Sequence, residues 1–175
     1  MEYFTNYQIQ TKELPSVKEL EFQALQKKYL YVLLIGRLIF LLILFAVGLI
    51  FIYTAPFVVD SRIIFFLLGL FAIYFLWSMI SINKGFKHKA YALRQKDVAY
   101  KSGWLWRHLT TAPFNRVQHV RIDQGPIERR FNLAKLKIFT AGGSSSDLTI
   151  PGLTPDNAHA LKEFIVKQTL EDEEE

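Results

Sequence analysis

Two nearly unbroken apolar runs constrain this chain more than any other feature. Residues 30–53 read LYVLLIGRLIFLLILFAVGLIFIY, residues 63–82 read IIFFLLGLFAIYFLWSMISI, and Arg37 is the one charged residue within them. A bilayer's hydrocarbon core takes roughly 20 apolar residues as a helix, and each run is long enough. The first run is too long for the apolar region of a signal peptide, starts late and lacks an Ala-x-Ala cleavage site, so it reads as a span. A chain of 175 residues could not cover two such helices with soluble protein.

The segment TAPFVVDS, residues 54–61, joins the runs. Pro56 and Asp60 punctuate it, and connections this short link antiparallel neighbours. The expectation is a transmembrane hairpin over residues 29–83, with both termini on one side. Lys27 and Lys28 precede the first span, and Lys84, Lys87, His88 and Lys89 follow the second, whereas the connection offers only Asp60 and Arg62. That Lys/Arg bias places both termini in the cytoplasm. Tyr29, Tyr31 and Tyr53 suit the aromatic belts at the two interfaces.

Arg37 is expected level with residues 77–81 of the second span. It either snorkels toward the near surface or donates to Ser78 or Ser81; the other reading is a lipid phosphate or a partner's acid. Ahead of the membrane, Ser16 and Glu19 have capping-box spacing. Val17, Leu20, Ala24 and Lys28 share a helical face with Leu25 beside it, which predicts a helix from about Val17 into the first span. Residues 1–28 are thus an amphipathic lead-in.

Apolar residues make up 51% of the chain and aromatics 15%, which excludes a disordered or collagen-like polypeptide. The absence of cysteine excludes disulfides, thiolate metal sites and a cysteine nucleophile. The net charge of +5 conceals an uneven distribution. Residues 84–170 carry 15 Lys/Arg against 6 Asp/Glu, a net of +9, and residues 171–175 are an entirely acidic tail. A basic domain beside an anionic leaflet is electrostatically favoured.

The basic segment reads as short strands: residues 90–94, 98–104, 105–114 broken at Pro113, 117–124, 134–141 and 148–153. Alternation puts Val120 and Ile122 on one face and His119, Arg121 and Asp123 on the other. Leu136 and Ile138 point inward, Lys135 and Lys137 outward. Gln95, Lys96 and Asp97 mark one turn, and residues 142–147 (GGSSSD) another. Thr154 as N-cap with Pro155 at the first helical position starts a final helix, whose apolar face is Ala158, Leu161, Phe164 and Ile165.

Catalytic and metal chemistry find little support. His119 and Asp123 lie about 13 Å apart along a strand. His88, His108, His119 and His159 show no H-x-x-x-H spacing. Residues 142–146 lack the following Lys and helix of a phosphate cradle, and Ser144, Ser145 and Ser146 have no visible base. Arg116 reads as a structural partner of Asp123, Glu128 or backbone carbonyls. Arg129 and Arg130 beside Phe131 suit lipid headgroups or an acidic partner. With Lys135, Lys137 and Arg121 they form a candidate patch, since nothing acidic lies between Arg129 and Thr140. Trp104, Trp106 and Phe131 read either as core or as dipping into the interface, with at least one of the tryptophans expected in the core.

The string Pro113, Phe114, Asn115, Arg116, Val117, Gln118, His119, Val120 resembles the P-x-x-R-I/V-Q-x-V core of bacterial membrane-anchored PH-like domains of the YdbS type. Gln124, Gly125, Pro126, Ile127, Glu128, Arg129, Arg130 and Phe131 resemble their Q-G-P-x-x-R-x-F stretch, and Thr140, Ala141, Gly142 and Gly143 their T-A-G-G. The resemblance covers roughly residues 29–168. It implies an α+β membrane protein: a two-helix hairpin, then a PH-like antiparallel sheet or barrel over residues 84–170, capped by the C-terminal helix. Pro113, Arg116, Gln118, Gln124, Gly125, Pro126, Gly142 and Gly143 are then structural motif residues. Lipid-binding eukaryotic PH domains carry a Lys/Arg cluster in the first hairpin loop. Here that loop is Gln95, Lys96 and Asp97 beside Arg94, so inositol-phosphate recognition does not carry over.

The expected role is a binding or scaffolding module, not an enzyme, in the bacterial cytoplasmic (inner) membrane, multi-pass, without cofactor or metal. Its expected partners are the bilayer, a larger relative with several PH-like domains, or a second copy of itself; nucleic acid is not among them. The alternative is a small membrane enzyme or lipid-handling protein acting on anionic headgroups.

Overall fold

The computed structural model describes residues 21–54, 60–141 and 147–174, and of residues 171–174 the backbone alone. Helix α1 (Lys28–Thr54) and helix α2 (Ser61–Lys87) are the two apolar runs, each extended past the run at both ends. At 27 residues each measures about 40 Å, enough to cross a bilayer. Their surfaces are bare: Phe40, Ile50, Phe65, Phe66 and Ile73 are all more than half exposed, which only lipid makes tolerable. The helices run antiparallel, with Phe45 against Phe71 at 5.5 Å and Val32, Leu41 and Ser78 buried. Asp60 caps α2 by accepting from the Arg62 N–H at 3.0 Å. The rest of the predicted connection lies outside the described residues.

Arg37 does not donate to Ser78 or Ser81. Its Nη1 reaches the Tyr74 hydroxyl at 3.3 Å, one turn farther from the Lys87 end of α2, and Ser78 Oγ is buried without a partner. The antiparallel pairing of Phe45 with Phe71 sets Arg37 near residue 79 of α2, as expected, and its long side chain reaches one turn past that level to Tyr74.

The segment that leads into the membrane is not the predicted helix. Residues 17–20 lie outside the described residues, but residues 21–27 are not helical. Gln23 and Ala24 form a short strand, β1 (Gln23–Ala24), paired antiparallel with Tyr91 and Ala90 of β2 (Ala90–Leu93). Leu25 is 5% exposed and belongs to the same core as Val98, Phe114, Leu136 and Ile150. Helical periodicity there loses to the burial of one leucine and the pairing of a sheet edge. The hairpin is therefore inserted inside the soluble domain, between β1 and β2.

The first sheet continues with β3 (Asp97–Ser102) and β4 (His108–Pro113), in the order β1-β2-β3-β4. A 3-10 turn at Phe114–Arg116 leads into the second sheet, β5-β6-β7, made of β5 (Val117–Asp123), β6 (Ala134–Thr140) and β7 (Leu148–Leu153). A short helix α3 (Pro126–Arg130) joins β5 to β6, and α4 (Pro155–Glu174) closes the domain. The alternation is as read: Leu136 and Ile138 are fully buried, and Lys135 and Lys137 face out. Ala158, Leu161 and Ile165 seat α4 on that core, while Phe164 stays one-third exposed and meets Phe114 edge-on at 6.0 Å.

One end of the domain sits on the membrane helices. The φ of Gly152 is +67°, and a Cβ there would lie 2.6 Å from the Tyr29 ring in the first turn of α1. The Gln26 N–H donates to the Gly152 carbonyl at 3.2 Å, and Phe131 stacks on Tyr31 at 6.1 Å. The opposite end is tied together by Phe114 N–H to the Lys96 carbonyl, Ala141 N–H to the Arg116 carbonyl, and Thr169 Oγ1 to the Phe114 carbonyl. We call these the proximal and distal ends.

Leu25→Ala is expected to destabilise the detergent-solubilised chain by about 2–4 kcal/mol, as for a buried core leucine. A helical lead-in on the bilayer surface would leave thermal unfolding of the soluble domain unchanged. Gly152→Ala combines positive φ with a clash against Tyr29 and should cost at least about 1 kcal/mol in the same measurement.

Candidate functional site

The five cations of the candidate patch do not form a free positive surface. Lys137 Nζ lies 2.8 Å from Asp123 Oδ2, and Arg121 Nε lies 2.9 Å from Asp123 Oδ1. Lys135 Nζ lies 3.0 Å from Glu128 Oε1. The fold explains this: in the pairing register Arg121 stands opposite Lys137 and Asp123 opposite Lys135, so Asp123 of β5 serves Arg121 on its own strand and Lys137 on the next, while α3 brings Glu128 to Lys135. The Lys137 hydrogen bond, reinforced by Arg121, holds the Asp123 carboxyl below its ordinary value. Partial burial pushes Glu128 up, but the Lys135 hydrogen bond and charge, with Glu128's own backbone N–H, outweigh it and leave that carboxyl lowered. Beside them His119 stacks on Phe139 at 4.1 Å, and Arg121 lies over the same ring at 5.6 Å.

Arg129 and Arg130 remain exposed, and they sit at the proximal end. The Q-G-P stretch is the start of α3, with Gly125 before the helix, Pro126 at its first position and the Gly125 carbonyl accepting from the Arg129 N–H at 2.9 Å. Gln124 is exposed. Asn132, at φ 53°, turns the chain out of α3 into β6. The Phe131–Tyr31 stack then sets Arg129 and Arg130 near the first turn of α1, beside Lys27 and Lys28.

Neither tryptophan is in the core. Trp104 is half-buried against Trp77 of α2 at 6.3 Å, with Lys84 Nζ 4.8 Å above its ring, and Trp106 is 77% exposed. The membrane helix, not the sheet interior, offers Trp104 its packing surface. In the first hairpin, Arg94 is bound bidentately to Asp97, with Nε to Oδ1 at 2.6 Å. That pairing satisfies the one arginine of the turn.

At the distal end the motif residues behave differently. Pro113 ends β4. Arg116 is exposed, and Asp123 and Glu128, its expected partners, are bonded to other cations. Gln118 falls in a register shift between Val117 and His119, a bulge that leaves it exposed at the edge of the sheet. Gly142 and Gly143 lie outside the described residues. Beside them Asp147 Oδ2 accepts from Thr140 N–H at 2.7 Å and Thr140 Oγ1 at 2.5 Å, and these bonds lower its carboxyl.

Because β5 is the outer strand in the order β5-β6-β7, its second edge pairs with no strand among the described residues. That edge and the last turns of α4 enclose a groove of about 600 Å³. Arg116, Gln118 and His119 line one wall, and Val166 and Leu170, 41% and 56% exposed, line the other. Sequence reasoning found the first wall through its motif and missed the second, because Gln118 and Leu170 meet only in the folded domain. Among the described residues, no His, Asp and Glu side chains gather in a metal-holding group.

The bacterial PH domain family model matches residues 13–169, a span that takes in β1, the membrane hairpin and the whole of both sheets. The chain belongs to the bacterial PH domain family. It is also 35% identical over 81 residues to the UPF0699 transmembrane protein YdbS of Bacillus subtilis (strain 168). That alignment covers 45% of this chain and 49% of the relative, so the chain spans about half the length of the curated relative it matches. No solved structure matches. A bacterial PH domain with two apolar helices and a transmembrane relative is a membrane protein.

Asp123, Glu128 and Asp147 all have lowered carboxyls in the folded state, so each contributes stability above its unfolded pKa and loses it as the pH falls through the folded one. Denaturant midpoints of the solubilised chain should therefore fall on acidification from the ordinary carboxylate range, near about pH 4, downward. Asp123→Asn should lower the midpoint at neutral pH and flatten the acid decline.

Proposed function

We propose that this bacterial PH domain is a membrane-anchored binding module that assembles with a partner protein through the distal groove. One observation carries the reading: a β5 edge that pairs with no strand among the described residues faces the exposed apolar side chains Val166 and Leu170 across a groove open to solvent. Such an edge can accept an extended segment as an added strand, with side-chain pockets beside it setting specificity. Arg116 favours an acidic residue in that segment, and the bulge at Gln118 limits how far along β5 it can pair.

The orientation follows from charge. Lys27, Lys28, Lys84, Lys87 and Lys89 cluster where the domain meets the helices, against Arg62 and Asp60 at the other end, and this bias favours a domain on the cytoplasmic side of an inner membrane. The groove then faces away from the bilayer, toward other cytoplasmic domains. A larger relative with several PH-like domains suits it, and a second copy of this chain is the competing occupant. Binding rather than turnover is the proposed role.

The chain has no cysteine, so single cysteines report the topology directly. Lys96→Cys should be shielded from an impermeant reagent in intact cells and Asp60→Cys should react; the reverse labelling inverts the orientation. For the groove, Val166→Asp with Leu170→Asp should leave the fold within about 0.5 kcal/mol, as exposed changes do. The same pair should remove whatever protein co-purifies in mild detergent with the unaltered chain. Retention of the same partner by the double variant would sink the groove assignment.

A further inference from the structure

We infer that the proximal end of the domain holds a binding site for a phosphate-bearing anion, supplied by a lipid of the leaflet from which α2 emerges. The inference concerns the end opposite the groove and rests on the cytoplasmic orientation proposed above. A cavity of about 360 Å³ lies there, lined by Lys87 and His88 from the end of α2, Lys101 from β3, Arg107 and His108 from the start of β4, and Phe22. Three cations and two histidines surround it, and among the described residues no carboxylate lines it.

That composition contrasts with the first hairpin and with the outer face of β5 and β6. Arg94, Arg121, Lys135 and Lys137 all have carboxylate partners, whereas Lys87, Lys101 and Arg107 have none among the described residues. Lys101 Nζ sits 3.9 Å over the Phe22 ring, which orders the side chain while leaving its charge unneutralised. Cations held together without a counter-ion repel one another, and an anion seated among them relieves that repulsion. Arginine and lysine together suit a phosphate, the first as a planar fork and the second as a point charge.

The surroundings select the source of the phosphate. Strand β2 leaves the membrane end of α2, and β3 returns antiparallel to it, with Lys101 opposite Ala90. The β3–β4 connection is therefore level with the end of α2. It is held there by Trp104 on Trp77 and Lys84, and by Gly103 at φ +84°, where a Cβ would lie 1.8 Å from the Trp106 carbonyl. At its tip Leu105 and Trp106 are 67% and 77% exposed. Solvated, that pair is costly; set in the headgroup–acyl boundary, it is at home. A soluble phosphate would need the cations but not this apolar tip, while a lipid uses both, its phosphate among the cations and its chains beside Leu105 and Trp106.

The test uses the full chain, purified in mild detergent with equal phosphatidylglycerol and phosphatidylcholine, the retained lipid being counted by native mass spectrometry. Phosphatidylglycerol should be retained, and Lys101→Gln with Arg107→Gln should reduce it at least about tenfold. Exchanging the two as Lys101→Arg with Arg107→Lys should preserve retention, which separates lost charge from lost fold. Lys135→Gln with Lys137→Gln, on the paired face, should retain lipid as the unaltered chain does. Equal retention of phosphatidylcholine, or wild-type retention by the first double variant, overturns the site. Displacement by millimolar inorganic phosphate assigns it to a soluble anion and overturns the lipid source. In liposomes, a dye on Trp106→Cys should be quenched by nitroxides on lipid chains and one on Lys96→Cys should not; equal quenching overturns the seating of the tip. Topology labelling and partner capture are read separately, so failure here leaves the orientation and the groove standing.

Discussion

The pairing of Gln23 and Ala24 with Tyr91 and Ala90 is the contact on which the rest of the architecture depends. It joins the chain entering the membrane to the chain leaving it. Neighbouring strands lie about 4.8 Å apart, so the ends of α1 and α2 must come together at one point of the bilayer surface. An antiparallel hairpin meets that condition and two splayed spans would not. The domain cannot drift from its anchor as it could on a flexible linker, because the anchor begins and ends inside its own sheet. Tyr29 against Gly152 and Phe131 on Tyr31 extend the same docking to the second sheet.

Fixed docking gives the domain two chemically different ends. The proximal end gathers cations with no carboxylate partner among the described residues, Arg129 and Arg130 at one side and Lys87, Lys101 and Arg107 at the other. The distal end carries the edge of β5 and the apolar groove beside α4. Between them the outer face of β5 and β6 is a ladder of neutralised pairs centred on Asp123. Cations without a carboxylate partner among the described residues stand at both ends, Arg116 in the groove and the larger group beside the bilayer, and apolar surface left over after core packing faces either the bilayer or the groove.

Features that depend on local period were legible in the sequence. The apolar runs, the alternation of residues 117–123 and 134–140, and the Thr154–Pro155 helix start needed only their own neighbours. What depended on non-local contact was not. A two-residue strand has no period, and the apolar spacing around β1 fits the turn of a helix equally well. Lys135 and Lys137 looked free because their carboxylates arrive from β5 and α3. Trp104 looked like core because the surface it packs on belongs to a membrane helix. Half of the groove was visible in the motif residues Arg116 and Gln118, but its apolar wall lies some fifty residues away on α4.

The insertion of the hairpin between β1 and β2 also orders events during synthesis. The partner of Ala24 is Ala90, and the ribosome must make both membrane helices before that partner exists. At about 5–20 residues per second the interval is about 3–13 s. Throughout it Leu25 has no core to enter, and the first strand is an unpaired edge awaiting its neighbour. Delivery of α1 and α2 into the bilayer is thus a step on the soluble domain's own folding route. Any delay in that delivery prolongs the exposure of an aggregation-prone nascent chain.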